Sequence, residues 1–156
     1  MTRQDIENLL TDKESSLGQQ VPLLENLARF GGLIYAKPEW AWIVGPFREL
    51  VRARLWSDGL DTWLVKWECR DFARAFACYA QECNALTPGA PKGSDALAVG
   101  EFWFIPDASR GLAPAGTGHA INICITEKGV QFIDPQNFTE WIPSLDELAS
   151  CLFLRF

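Results

Sequence analysis

The chain contains one histidine, His119, so any chemistry that needs an imidazole must use it. His119 follows the glycine-rich segment 116–118 and begins a predicted strand, which favours a position at the mouth of a cleft. Cys69 lies at the start of the clearest predicted helix, where unpaired backbone N–H groups favour a thiolate and can stabilise an oxyanion. These residue types predict a nucleophile, Cys69, and its general base, His119. The alternative for an isolated histidine is a structural role.

Asp134 is the predicted third member of this group. The segment Glu127-Lys128-Gly129 predicts a tight turn between a strand at 119–126 and a second strand at 130–134. A carboxylate on the neighbouring strand can accept the other imidazole N–H and stabilise the imidazolium. The alternative function of Asp134 is to cap a turn before Pro135. Together the three residues predict the layout of a papain-like or transglutaminase-like cysteine enzyme.

The remaining cysteines lack the setting of a helix start. Two lie inside the predicted helix, one lies in the middle of a strand and one lies in the closing apolar segment, which predicts buried small hydrophobic residues: Cys78, Cys83, Cys124 and Cys151. Five cysteines cannot all pair internally. With no export signal in residues 1–20, reduced thiols are expected.

The order of the predicted elements indicates an α+β fold, with helices first and an antiparallel sheet second. Helices are predicted at 2–12, at 21–30, after Pro46, from about Trp67, and from Ser144. The nucleophile helix is supported by Phe72, Phe76 and four alanines at helical spacing. Strands are predicted at 98–105, 119–126, 130–134 and 151–156, with loops at 87–95 and 107–118.

Composition limits the class of protein. A chain of 156 residues with 48% hydrophobic and 22% charged residues predicts one folded domain, 1–156. The net charge of −6 argues against a nucleic-acid partner. The apolar stretches are too short for a membrane span, and without a signal peptide we expect a cytoplasmic protein.

Three segments resemble the papain-like C-terminal domain of a mushroom agglutinin. Residues 67–73 (WECRDFA) are similar to its "W-x-C-x-D-F-A" nucleophile helix. Residues 118–122 (GHAIN) are similar to its "G-H-A-x-N" base strand, and residues 132–136 (FIDPQ) to its "F-x-(D/E)-P-Q" strand. The resemblance covers about 60–142, the predicted catalytic core, and leaves 1–55 as a helical N-terminal extension.

The resemblance implies a papain-like fold in which Cys69 is the nucleophile, His119 the general base and Asp134 the orienting acid. It implies a calcium-dependent protease, for which Asp71 is a candidate metal ligand. The candidate substrate-binding or oxyanion residues within the three segments are Trp67, Gly118 and Gln136. The oxyanion glutamine of papain is absent, since Thr62 and Trp63 occupy that stretch. The lectin part of the mushroom protein is also absent, so the resemblance does not extend to sugar binding.

The leading hypothesis from the sequence is a cysteine peptidase or amidase that cleaves a peptide or amide bond through a thioester intermediate. No cofactor is required by this mechanism, and the expected partner is a peptide or protein substrate. A second hypothesis is acyl transfer to an amine. A third is a papain-like scaffold used without catalysis as a protein-binding module, such as a phage or host-interaction protein. The aromatic N-terminal region, which the enzyme hypothesis does not explain, supports this third hypothesis.

Overall fold

A computed structural model describes residues 1–11, 28–29, 34–62, 64, 67–86, 96–111 and 116–156. Its main feature is a six-stranded sheet in the order β1-β8-β4-β5-β6-β7. Its strands are β1 (Ala28–Arg29), β4 (Val99–Phe104), β5 (His119–Thr126), β6 (Gly129–Asp134), β7 (Thr139–Trp141) and β8 (Phe153–Arg155). Neighbours are antiparallel except β1 and β8, which are parallel. A second sheet pairs β2 (Tyr35–Ala36) with β3 (Ala96–Leu97) in parallel.

Helices and helical turns complete the α+β fold that the sequence predicts. They are α1 (Arg3–Thr11), α2 (Trp40–Trp42), a π-helical turn (Ile43–Phe47), α3 (Arg48–Ser57), α4 (Cys69–Leu86), a 3₁₀ turn (Ala108–Arg110) and α5 (Leu145–Ala149). Thr2 and Asp5 cap the start of α1, because the backbone N–H of Asp5 donates to Thr2 Oγ1 and that of Thr2 to the Asp5 carboxylate. Ser144 and Glu147 form a capping box at the start of α5.

Both faces of the main sheet are covered, so every residue of β5 is buried. One face carries a core that includes Phe102, Ile121 and Ile123. The other face packs against α3 and α4 through a core that includes Phe76 and Cys124. This second core fixes the start of α4 beside the start of β5, and therefore fixes Cys69 near His119.

The N-terminal part of the chain differs from the predicted helical extension. Of the predicted helix 21–30, only Ala28–Arg29 lies within the described residues, and these form β1. The helical segment predicted to start at Pro46 begins at Trp40 instead and is kinked at Gly45, where φ is −113° and ψ is −109°. The predicted loop 87–95 lies outside the described residues. Short strands and kinked helices depend on distant partners, which a local pattern does not reveal. The division into a core at 60–142 and an extension stays a prediction.

Candidate functional site

The structure brings together the three side chains that the sequence singles out. Cys69, half-buried, is the first residue of α4, and its thiol lies close enough to the imidazole of His119, the first residue of β5, to raise the pKa of that ring. Asp134, the last residue of β6, lies 3.1 Å from His119, measured from Oδ2 to Nε2. The antiparallel pairing of β5 with β6 brings about this approach. His119 and Asp134 are 8% and 1% exposed, so the thiol is the accessible end of the group.

Asp134 makes the contacts expected for both of the arrangements considered for it. One carboxylate oxygen contacts His119, and the other accepts the backbone N–H of Gln136 at 2.9 Å. The second bond closes an Asx turn around Pro135. The turn therefore holds the carboxylate in the orientation that fixes the imidazole.

The His119 imidazole is basic despite its burial. Burial lowers its pKa, but the hydrogen bonds and charges of Asp134 and Cys69 outweigh this effect and raise the pKa from 6.5 to about 9. The ring also contacts Phe104 and Trp141, with centroids 5.9 and 5.5 Å away. At neutral pH the site therefore holds a protonated imidazole between Asp134 and Cys69.

This pKa predicts that the free energy of unfolding falls as the pH rises. Below pH 6.5 the imidazole is protonated in both folded and unfolded chains, and its contribution is fully present. Between 6.5 and about 9 only the folded chain holds the proton, so the contribution is lost through that window. At 1.36 kcal/mol per pKa unit the loss is about 3 kcal/mol. Urea denaturation at pH 6, 8 and 10 measures this loss in the free energy of unfolding, and His119→Gln is the control because it lacks the titrating imidazole. An equal pH dependence in the wild type and in His119→Gln would contradict the assignment of the loss to His119.

The three candidate binding residues occupy different positions. The Trp67 indole packs edge-on against Phe72 with centroids 5.7 Å apart, and its buried Nε1 has no hydrogen-bond partner among the described residues. Gly118 precedes His119 directly; a Cβ there would lie 3.5 Å from Leu152 Cδ1. Gln136 lines a separate cleft beside Asp134. Trp67 and Gly118 are thus close in sequence to Cys69 and His119. Gln136 instead lines the separate cleft.

The prediction that four cysteines are buried is correct for two of them. Cys124 and Cys151 are buried, and burial raises the pKa of the Cys151 thiol to about 11 and also raises that of Cys124. Cys78 is exposed and Cys83 is half-buried, because both lie on α4 faces that the sheet does not fully cover. None of the five cysteines forms a disulfide, as expected.

Asp71 acts as a helix cap in the structure. Its Oδ2 accepts the backbone N–H of Glu68 at 3.0 Å, at the start of α4. Within the described part of the chain no three His, Cys, Asp or Glu side chains lie close enough to share a metal ion. Calcium binding stays a prediction.

A polar cluster that no sequence motif predicts lies behind His119, on the far side of Trp141. The Arg110 guanidinium lies 4.4 Å from the centre of the Trp141 ring, whose other neighbour is His119. Glu147, 0% exposed, accepts two hydrogen bonds from Arg110, at 2.7 and 2.8 Å. Since these residues come from a 3₁₀ turn, β7 and α5, no short motif identifies the cluster; the capping box at Ser144 was its one local signal.

Comparison with known proteins finds similar folds among solved structures but no similar sequence. No protein-family model matches the chain, and no curated protein matches its sequence. The fold is similar to that of the Polyporus squamosus lectin bound to the human-type influenza-binding epitope Neu5Acα2-6Galβ1-4GlcNAc, with 19% identity and a TM-score of 0.62. It is also similar to a complex of PSL1a with E64, at 19% identity and a TM-score of 0.63. In both cases all of this chain is covered, and it spans about half of the other (49% and 50%).

These comparisons correct the function predicted from the sequence. The predicted likeness to a mushroom agglutinin is confirmed at the level of fold, but its papain-like protease character is not. The prediction of a cysteine peptidase or amidase is contradicted, since the matching fold is described as a lectin, a binding protein. Acyl transfer is contradicted with it. The Polyporus squamosus lectin is described with a bound glycan epitope and not with a peptide. None of the described helices has the length and apolarity needed to cross a membrane.

Proposed function

We propose that the chain is a binding module that holds an extended segment of a partner protein beside Cys69 without breaking a bond in it. The observation that carries this proposal is the fixed arrangement of Cys69, His119 and Asp134, with only the thiol at the accessible end. A site that is ordered before its ligand arrives loses less conformational entropy on binding. The fold that this chain shares with a lectin supports binding over hydrolysis.

The contacts of His119 favour a holding role. Asp134 lies 3.1 Å from the imidazole on one side and Cys69 lies beside it on the other, so the ring is kept in one orientation.

E64 provides a probe for this site, because it is an epoxide that reacts with thiols and PSL1a forms a complex with it. The Cys69 sulfur would open the epoxide, forming a C–S bond and breaking a C–O bond. The epoxide oxygen takes up the thiol proton, so atoms balance and no other reactant is needed. The adduct would fill the space beside the start of α4 and exclude any other occupant.

We expect the E64 adduct to prevent binding of a partner segment that Cys69→Ala still binds. Peptides selected from a random-sequence display library on the wild-type protein serve as ligands, with affinities measured by calorimetry. Cys69→Ala should bind them within about threefold of wild type, because holding needs no thiol chemistry. The E64 adduct should bind at least about tenfold more weakly. Mass spectrometry should recover the peptides intact.

Cys78→Ala is the matched control, since Cys78 is an exposed thiol on the same helix. E64 should block binding to this variant as it does to the wild type. Peptides cleaved by the wild type and not by Cys69→Ala would overturn the proposal of a non-catalytic module. Unchanged binding by the E64 adduct would show that the ligand lies elsewhere.

A glycan is the second candidate ligand. The Polyporus squamosus lectin is described with one bound. In this chain the observation that favours a glycan is the indole of Trp56, which is 74% exposed and lines an open cleft.

A further inference from the structure

An open cleft lies between α3 and the turn that joins β6 to β7. Its volume is about 410 Å³, within the range of small-molecule sites. Its polar lining comes from Glu49 and Arg52 on α3, Asp61 after it, and Gln136 and Asn137 in the turn. This lining offers both donors and acceptors of hydrogen bonds.

Trp56 forms the aromatic wall of this cleft. Glu49, Arg52 and Trp56 are spaced by three and four residues, which places them on one side of α3. The face of an indole carries partial negative charge, and the C–H groups on the face of a pyranose carry the opposite partial charge. An exposed aromatic ring flanked by hydrogen-bonding side chains therefore suits a sugar ring.

The turn on the opposite side has a strained backbone. Phe138 has a φ of 58°, a left-handed conformation that no other non-glycine residue of the described chain adopts. The Arg52 guanidinium lies 5.5 Å from the centre of the Phe138 ring. Asn137 Oδ1 accepts two hydrogen bonds from Thr139, so the amide NH₂ of Asn137 remains as a donor. Strain of this kind is concentrated at ligand sites, where it presents side chains to the ligand.

From these features we infer that the cleft binds a neutral pyranose, which stacks on Trp56 and hydrogen bonds to Asp61 and the amides of the turn. A neutral sugar is favoured over a cationic side chain because Arg52 lies in the same cleft and would repel a cation. It is favoured over an anion because two carboxylates, Glu49 and Asp61, line the wall. The inference rests on the glycan as the second candidate ligand and uses none of Cys69, His119 and Asp134.

The test is titration of the ¹⁵N-labelled protein with methyl β-galactoside, methyl α-mannoside and N-acetylglucosamine, separately, up to tens of millimolar. At least one sugar should shift the indole N–H resonance of Trp56 in a saturable way. Trp56→Ala should weaken its binding at least about tenfold, as expected for a central aromatic contact. Asp61→Asn should weaken binding with no change in melting temperature.

Ile142→Ala is the matched control, because Ile142 is a similarly exposed apolar residue outside the cleft. It should bind the sugar as the wild type does. The E64 adduct of Cys69 should also bind it unchanged, which separates this site from the proposed protein-binding site. No saturable shift with any of the three sugars, or displacement of the sugar by trilysine at lower concentration, would overturn the inference.

Discussion

Replacing Glu147 with alanine is expected to lower the free energy of unfolding by about 2 to 3 kcal/mol. The Glu147 carboxylate is fully buried and accepts hydrogen bonds from the Arg110 guanidinium and from the backbone N–H groups of Asp107 and Ser144. Burial raises the pKa of this carboxyl, but the hydrogen bonds outweigh that effect and keep it below its usual value. Removal of the carboxylate leaves a cation and two backbone donors without their acceptor.

Urea denaturation at pH 7 measures this effect. The control is Glu140→Ala, which removes an exposed glutamate from β7 and should change stability by less than about 0.5 kcal/mol. Because Arg110 lies against Trp141 and Trp141 against His119, the variant should also shift the His119 ring resonances. A loss similar to that of Glu140→Ala would show that Arg110 finds an equivalent partner.

The elements that the sequence predicts well are those with strong local patterns. The helix from Cys69 and the hairpin of β5 and β6 match their predicted positions closely, because alanine spacing and a turn at Lys128 define them. β1 was predicted as part of a helix. Its two residues pair in parallel with β8, more than a hundred positions away, and no local pattern encodes that partner.

The candidate site could be predicted where its residues begin or end a helix or strand that has a strong local pattern. Cys69 and His119 begin a helix and a strand, and Asp134 ends the next strand, so a correct hairpin was enough to bring the imidazole and carboxylate together. Arg110, Trp141 and Glu147 could not be assembled in this way. They lie on three separate elements, and only the folded chain stacks them behind His119. The cleft beside Trp56 likewise combines a helix with a distant turn.

The position of Cys69 depends on how α4 packs, and Phe76→Ala tests this dependence. Phe76 is 0% exposed and lies two helical turns after Cys69, on the side of α4 that faces the sheet and α3. Its ring contacts Phe47 edge-on, with centroids 4.9 Å apart. Truncation to alanine removes this contact and leaves a cavity, so we expect the free energy of unfolding to fall by about 3 to 5 kcal/mol.

Leu86→Ala on the same helix is the control, since that side chain is 73% exposed and its loss should change stability by less than about 0.5 kcal/mol. Chemical denaturation gives the stability, and the rate of E64 alkylation at pH 7 reports on Cys69. A cavity beside α4 loosens the contact between the thiol and His119, so alkylation should slow in Phe76→Ala and stay unchanged in Leu86→Ala. If Phe76→Ala lost stability while its alkylation rate stayed that of the wild type, the start of α4 would be held by local contacts alone, and the packing of the helix would not set the geometry of the site.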